Sequence, residues 1–94
     1  MENTSSPGVI LYYFRANWCK TCSSFDPTYS GVVSYGSIPI KTQVVDIDQE
    51  KDLVSKYQIT SVPTILVVQN DTVMDRIVGE MSTKRLNLLI GKYK

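Results

Sequence analysis

Short apolar runs suited to β-strands recur along this 94-residue chain. Residues 9–14 form the longest run, bounded by Pro7 and Gly8, and its length suits a strand that is buried on both faces. Three further strands are predicted at residues 42–47, 65–68 and 73–78. Because Asn70 and Asp71 are typical turn residues, we expect the last two strands to pair as a hairpin.

Apolar residues at helical spacing predict a helix after the first strand. They follow Cys22 and are Phe25, Tyr29, Val32 and Val33, with Gly36 as a C-terminal stop. Pro27 lies either inside this helix or in its first turn, and in the second case Asp26 is its N-cap.

Two further helices are predicted later in the chain. The first is short, with Asp48 as its cap, and its apolar residues are Leu53, Val54 and Tyr57. The second has the strongest periodicity of the chain and has Ser82 as its cap. Its apolar residues are Leu86, Leu89, Ile90 and Tyr93.

The order of the predicted elements defines the fold class. A strand–helix–strand unit of this length implies a parallel pair with a right-handed crossover. Together with the hairpin, it predicts an α/β fold in which a four-stranded mixed sheet carries helices on both faces. Residues 1–8 are polar and rich in turn formers. We therefore expect a flexible N-terminal lead-in at 1–8 and a single domain at 9–94.

Composition and charge exclude several classes of function. Ten Lys and Arg against nine Asp and Glu leave a net charge of +1, which is too small to attract nucleic acid or anionic lipid. No apolar run approaches the ~20 residues of a membrane helix, and the start Met1-Glu2-Asn3 lacks the basic region of a secretory signal. We therefore expect a cytoplasmic protein without a nucleic-acid or membrane partner. We also expect a monomer. The chain has no His, so the commonest general base and metal ligand is missing.

The candidate chemistry lies in the only two cysteines, Cys19 and Cys22, which follow the first predicted strand and open the first predicted helix. They can close a disulfide ring or remain as two thiols within reach of each other. The free N–H groups and partial positive charge of a helix N-terminus favour a thiolate at Cys19, the more exposed sulfur. Because a thiolate is the nucleophile of thiol–disulfide exchange, we expect Cys19 to attack a substrate and Cys22 to resolve the mixed disulfide.

Two other interpretations of the cysteine pair remain open. A zinc site would need two carboxylates to complete it, because the chain has no other Cys and no His. The pair could also be two inert thiols or a structural disulfide, although a bridge across so short a loop restricts the unfolded chain little. Redox chemistry is the interpretation we favour, with no metal and no cofactor beyond the redox-active disulfide.

Several short motifs carry a resemblance to a known family. They are Ala16-Asn17-Trp18-Cys19-Lys20-Thr21-Cys22, then Pro27, Val45-Asp46-Ile47-Asp48, Val62-Pro63-Thr64 and Val78-Gly79. In their order and spacing, over residues 9–94, the chain resembles the thioredoxin family. Trp-Cys-x-x-Cys followed by Val-Pro-Thr is a specific combination, whereas a lone Cys-x-x-Cys is weaker evidence.

The resemblance implies a thioredoxin fold and a dithiol–disulfide cycle in which Cys19 attacks and Cys22 resolves. It also implies a cis peptide bond before Pro63, which then faces the disulfide. Residues implied to border the docking site of an extended substrate segment are Trp18, Val62 and Gly79. The plain structural alternatives are a trans proline, a tryptophan that only packs and a glycine that only forms a turn.

The chain departs from the family at its N-terminus and beneath the cysteines. Residues 1–8 leave no room for the family's usual N-terminal strand and helix, so we expect a near-minimal core. Tyr13 stands six residues before Cys19, where many thioredoxins have a buried acid, and a phenol is a poor base at neutral pH. Val44 stands where the family often has a lysine near that acid, so neither charge of the pair is present.

A third departure is the dipeptide between the cysteines. Lys20 and Thr21 replace the usual Gly-Pro. A positive charge beside the sulfurs is expected to stabilise the thiolate and to make the couple more oxidising. The alternative is a solvated lysine with little effect.

The expected function is that of a thioredoxin-like reductase, which receives electrons from a thioredoxin reductase-type donor and passes them to protein disulfides. A glutaredoxin-like, glutathione-dependent enzyme would fit the short chain, but Trp18 and the sequence Val78-Gly79-Glu80-Met81 argue against it. A non-catalytic binding module is disfavoured by the intact Cys-x-x-Cys. An oxidant or isomerase, which Lys20 would favour, usually acts outside the cytosol.

Overall fold

The computed structural model describes residues 8–35 and 40–93. Its elements, in chain order, are β1 (Val9–Arg15), α1 (Lys20–Tyr35), β2 (Lys41–Asp46), α2 (Lys51–Lys56), β3 (Thr64–Gln69), β4 (Thr72–Val78) and α3 (Thr83–Gly91). All four predicted strands and all three predicted helices are present, with small shifts in their bounds. Most of the predicted lead-in, residues 1–7, and the predicted stop at Gly36 lie outside the described residues.

The four strands form one mixed sheet in the order β2-β1-β3-β4. β1 and β2 are parallel, whereas β1–β3 and β3–β4 are antiparallel. Asn70 and Asp71 join β3 to β4 with φ angles of 50° and 69°, as a tight hairpin turn requires. The predicted α/β class, mixed sheet and hairpin are therefore confirmed.

Helices cover both faces of the sheet because the two central strands, β1 and β3, bury side chains on both faces. Tyr13 and Ile65 pack with apolar residues of α1 and α3 in one core cluster. Their chain neighbours Phe14 and Leu66 belong to a second cluster on the opposite face, together with residues of α2. Alternation along each strand produces this division.

Of the predicted helix caps, Ser82 is confirmed and Asp48 is wrong, and the structure decides between the two alternatives for Pro27 in favour of the helix interior. The Ser82 Oγ accepts a hydrogen bond of 3.1 Å from the Arg85 backbone N–H at the start of α3. Asp48 does not cap α2, which begins after Glu50 without a side-chain cap. Asp26 is not an N-cap, because α1 begins earlier and contains both Asp26 and Pro27 in its interior.

Candidate active site

The disulfide site begins where the chain passes from β1 into α1. The backbone N–H of Cys19 donates to the Ala16 carbonyl oxygen over 3.2 Å, which forms a turn after the strand. α1 starts at the next residue, so Cys19 occupies the N-cap position. Its sulfur accepts a hydrogen bond of 3.1 Å from the Cys22 backbone N–H. This N–H is one of those that a helix leaves free in its first turn, and it would also stabilise a Cys19 thiolate.

The two cysteines differ in their access to solvent. They are joined by a disulfide, with their Cα atoms 5.2 Å apart. Cys19 keeps 7% of its surface exposed, whereas Cys22 is 0% exposed. The predicted difference in exposure is therefore confirmed. A reaction partner arriving from solvent reaches Cys19 first.

The segment before β3 lies directly against the disulfide. The Val62–Pro63 peptide bond is cis, as the resemblance implies. The Val62 carbonyl oxygen is 3.7 Å from the Cys19 sulfur. The Val62 side chain packs against the small cluster that contains both cysteines. The backbone of Val62 is thus close enough to the sulfur to contact a substrate bound there.

A hydrogen bond connects this segment to the end of β4. The Gly79 N–H donates to the Pro63 carbonyl oxygen over 2.8 Å. Gly79 has a φ of 96°, and a Cβ added there would meet nothing within 4 Å. The requirement for glycine is therefore one of backbone conformation and not of space. The structure brings the predicted residues Val62, Pro63 and Gly79 together, and the Val62 carbonyl oxygen lies beside the Cys19 sulfur.

Trp18 lies on the surface next to Cys19, with 66% of its area exposed. Its Nε1 donates a hydrogen bond of 3.0 Å to the Asp48 Oδ2, which fixes the indole on the surface. The alternative of a tryptophan that only packs in the core is wrong. Asp48 therefore belongs to the site rather than to the start of α2. The sequence did carry a signal for this contact, because the indole N–H of Trp18 is a donor and needs a hydrogen-bond acceptor nearby.

Lys20 and Thr21 form the first turn of α1 between the two cysteines, and both are exposed. The effect of the Lys20 charge on the sulfurs stays a prediction.

A network of polar side chains lies beneath Cys22, where the sequence indicated no charge. The Tyr13 hydroxyl donates to the Asp26 Oδ1 over 2.6 Å and lies 3.2 Å from the Cys22 carbonyl oxygen. The Arg15 guanidinium binds both Asp26 oxygens, Nε to Oδ1 at 3.0 Å and Nη2 to Oδ2 at 3.1 Å. Burial, and then the hydrogen bond to Asp26, raise the pKa of Tyr13 well above its ordinary value.

Sequence comparison places the chain in a family, because the sequence profile described as Thioredoxin matches residues 2–92. The chain belongs to the thioredoxin family. The mitochondrial thioredoxin of Bos taurus is 32% identical over 90 residues, which are 96% of this chain and 53% of that protein. The thioredoxin of Bacillus subtilis (strain 168) is 29% identical over 89 residues, 95% of this chain and 86% of that protein.

Structure comparison agrees with the thioredoxin fold. The X-ray structure of Fasciola hepatica thioredoxin superposes with a TM-score of 0.80 at 26% sequence identity, covering 92% of this chain and 81% of that one. The chain spans about half the length of the mammalian mitochondrial thioredoxins that it matches. Membership of the thioredoxin family, together with the Cys19–Cys22 pair, supports thiol–disulfide oxidoreductase chemistry.

The described ranges hold neither a metal-ligand cluster nor a membrane-spanning helix. Among residues 8–35 and 40–93, no three potential metal-ligating His, Cys, Asp or Glu side chains come together. No helix in the same ranges is long and apolar enough to cross a membrane.

Sequence reasoning missed Asp26 and Arg15 as parts of this thioredoxin-family site. Both had a usable signal. Asp26 follows Cys22 by four residues and therefore lies on the same helix face. Arg15 follows Tyr13 by two residues and therefore lies on the same side of β1. The contact between these two elements became visible only once α1 was packed on β1.

Proposed function

We propose that this protein reduces protein disulfides through a cycle of its Cys19–Cys22 pair. The observation that carries the proposal is the position of Cys19. Its sulfur is the partly exposed one of the two, lies at the N-terminus of α1, and is bonded to a fully buried partner. A thiolate at this position is stabilised by the helix and can be reached by a substrate.

The proposed cycle has two exchange steps. In the first, the Cys19 thiolate attacks one sulfur of a substrate disulfide, and the other substrate sulfur leaves as a thiolate and takes up a proton. In the second, the Cys22 thiolate attacks Cys19 Sγ, the Cys19–substrate bond breaks, and the second substrate thiol is released. The substrate gains two electrons, and the protein is left with the Cys19–Cys22 disulfide.

We assign the regeneration of the dithiol to a thioredoxin reductase-type electron donor. No metal or further cofactor takes part in the proposed cycle, and the protein acts as a monomer. The cytoplasmic setting expected from the sequence belongs to the same proposal, since reducing compartments keep such pairs as dithiols between turnovers. Trp18, the Val62 backbone and Gly79 are proposed to border the bound segment of the substrate.

Replacing each cysteine by serine tests the two roles. We expect Cys22→Ser to accumulate mixed disulfides with a protein substrate, because Cys19 can still attack but nothing resolves the adduct. Cys19→Ser should form none, because the remaining sulfur is buried. Intact-mass measurement of both variants after incubation with oxidised insulin reads out the adducts. Adducts on Cys22 of the Cys19→Ser protein, with none on Cys19 of the other variant, would reverse the roles.

Two reducing systems distinguish the proposed donor from the glutathione alternative. We expect NADPH with a thioredoxin reductase to support insulin reduction by this protein, and glutathione with its own reductase to support it poorly. The reverse result would identify a glutathione-dependent enzyme. Activity with neither system, while Cys19 still exchanges with small disulfides, would reject both assignments of the donor.

A further inference from the structure

The edge of the sheet that carries the disulfide has a different chain element at each of its two ends. Because β1 and β2 are parallel and the other two pairs are antiparallel, β1, β2 and β4 end at this edge, where β3 begins. β2 and β4 are the outer strands. Trp18 is bonded to Asp48, which follows β2, and Gly79 follows β4. A substrate segment bound between Trp18 and Gly79 therefore approaches both ends of the edge.

The edge is narrow enough for one short segment to contact both ends. Three strand spacings of ~4.8 Å separate β2 from β4, which makes the edge about 14 Å wide. Four or five residues of an extended chain, at ~3.3 Å each, span this width. Charged side chains on the two flanks of a substrate cysteine thus come close to whatever charges lie at the two ends.

The β2 end of the edge is acidic. Residues 46–52, which we call the acidic corner, lead from the end of β2 into α2 and carry four carboxylates against the single ammonium of Lys51. The carboxylates are those of Asp46, Asp48, Glu50 and Asp52. The hydrogen bonds that the first two accept come from neutral donors, the Asp48 backbone N–H and the Trp18 Nε1. Within the described ranges none of the four forms an ion pair, so their charge is not compensated.

The β4 end of the edge is basic. Lys84 and Arg85, which we call the basic pair, are exposed in the first turn of α3, and this turn has no acidic residue. Neither forms an ion pair with another described residue. Glu80 is the one carboxylate among residues 79–91, so the two cations outnumber it. Because the first turn is the positive end of the helix dipole, cations there disfavour α3, and helix stability does not explain them.

The charges between the two ends favour neither of them. Lys20 follows Cys19 in the middle of the edge. Arg15 and Asp26 neutralise each other in an ion pair. The net charge of +1 therefore conceals a separation of charge across the site, with the acidic corner on one side of Cys19 and the basic pair on the other.

We propose that the site selects disulfide segments whose own charge is separated along the chain, with acidic residues on one flank of the cysteine and basic residues on the other. This inference rests on the proposed function and names the class of its substrate. The acidic flank lies over the basic pair, and the basic flank lies over the acidic corner. A segment bound in the opposite direction would bring like charges together at both ends, so the charges fix its direction and raise its rate of encounter.

Two peptides of identical composition isolate this effect from that of net charge. One has two glutamates before a central cysteine and two lysines after it, and the other has the reverse order. A third peptide has serines in all four positions. In each, the cysteine is joined by a disulfide to an aromatic thiol that is coloured once released. The Cys19 thiolate attacks the peptide sulfur, the bond between the peptide and aromatic sulfurs breaks, and the aromatic thiolate leaves with its electron pair.

Stopped-flow absorbance of the reduced protein with each peptide measures the rate constant of this attack. We expect one charged peptide to react at least ~3-fold faster than the other at low salt, because two unit charges ~10 Å apart in water change an encounter about 2-fold. The faster peptide also reports the direction in which the segment crosses the site. The ratio should approach one at ~1 M salt, where the Debye length falls to ~3 Å.

Charge-removing variants at each end test where the preference arises. We expect Lys84→Gln combined with Arg85→Gln to lower the ratio between the charged peptides, and Glu50→Gln combined with Asp52→Asn to lower it as well. Both double variants should keep the wild-type rate with the serine peptide, which shows that the fold of the site is intact.

A matched control removes one cation from the opposite edge of the sheet. Lys56 pairs there with Asp71, which lies in the turn between β3 and β4. Lys56→Gln changes the net charge of the protein but not the charges beside Cys19, so we expect the ratio to stay as in the wild type.

The outcomes separate this inference from the proposed function. Equal rates for the two charged peptides overturn the inference, and so does a ratio that persists in both double variants or at high salt. A loss of the ratio in Lys56→Gln as large as in the double variants would assign it to net charge and overturn the inference too. A wild-type protein that releases no thiolate from the serine peptide would instead reject the proposed function.

Discussion

At the scale of single residues, the site depends on one sulfur placed as a helix cap. Cys19 takes the position usually held by Ser, Thr, Asp or Asn, and its sulfur accepts the Cys22 N–H. The cysteines, Trp18 and Pro63 could be predicted because their motifs are local in sequence. Asp26 could not be placed correctly, because its partners Tyr13 and Arg15 lie on another element. The local pattern allowed a cap at Asp26, whereas tertiary packing makes Asp26 part of a half-buried network.

Lys20 offers a test of electrostatics at the same scale. Only the reduced form carries a thiolate, so a positive charge beside Cys19 stabilises the reduced protein and leaves the neutral disulfide unaffected. We expect Lys20→Met to raise the pKa of the Cys19 thiol by a few tenths to one unit, about 0.5–1.4 kcal/mol. The reduction potential should become more negative by about 10–30 mV, since ~1.4 kcal/mol corresponds to ~30 mV for a two-electron couple.

Thiolate absorbance and equilibration with glutathione measure these two quantities separately. Lys20→Arg is the matched control, because it keeps a charge at the same position and should change neither quantity much. If Lys20→Met leaves both the pKa and the potential unchanged, water screens the exposed ammonium and the dipeptide has no electrostatic role.

At the scale of elements, the start of α1 decides the geometry of the site. Pro27 lacks an N–H and therefore leaves the Ser23 carbonyl oxygen without its usual helical donor, yet the helix continues through it. The sequence allowed both an interior and a first-turn proline, because the choice depends on where the helix begins. Because the Cys19 sulfur accepts the Cys22 N–H as an N-cap, α1 begins at Lys20. Phe25 and Tyr29 then pack into the core on either side of the proline.

The cap of α3 is a second test at this scale. Ser82→Ala removes the acceptor of the Arg85 N–H, and we expect it to lower the free energy of unfolding by ~1 kcal/mol. For a domain of this size such a loss lowers Tm by roughly 4–8 °C. Thermal unfolding followed by circular dichroism measures it. Ser82→Asp keeps an acceptor at the cap and should retain the stability, whereas equal losses in both variants would show that the cap bond contributes little.

At the scale of the whole molecule, the sheet could be predicted from periodicity because its two central strands are buried on both faces. Burial on both faces explains continuous apolar runs such as residues 9–14. The hairpin turn at Asn70 and Asp71 sets the antiparallel pairing of β3 with β4. The exposed strand β2 has a weaker pattern, with Val44 55% exposed opposite Tyr13 in the register. The sequence showed that Val44 stands where the family often has a lysine. It did not show that Arg15, on the neighbouring strand β1, supplies a positive charge to the network of Tyr13 and Asp26.

The same packing makes the folded protein sensitive to alkaline pH. Burial raises the pKa of Tyr29 to about 12, and burial with the hydrogen bond to Asp75 raises that of Tyr93 to about 12 as well. Tyr13 is also shifted upwards. In the unfolded chain these phenols ionise near pH ~10. The folded state therefore binds more protons above that pH, and its stability falls as the pH rises.

We expect the free energy of unfolding of the oxidised protein to be independent of these tyrosines below about pH 9 and to fall between about pH 10 and 12. The limiting slope is about 1.4 kcal/mol per pH unit for each proton that the folded state retains. Urea titrations at a series of pH values measure it, and the intact disulfide keeps the cysteines from contributing. Tyr93→Phe removes one of the retained protons and should make the decline shallower. A decline of the same slope in that variant would mean that Tyr93 ionises in the folded protein as it does in water, and that its bond to Asp75 does not hold the proton.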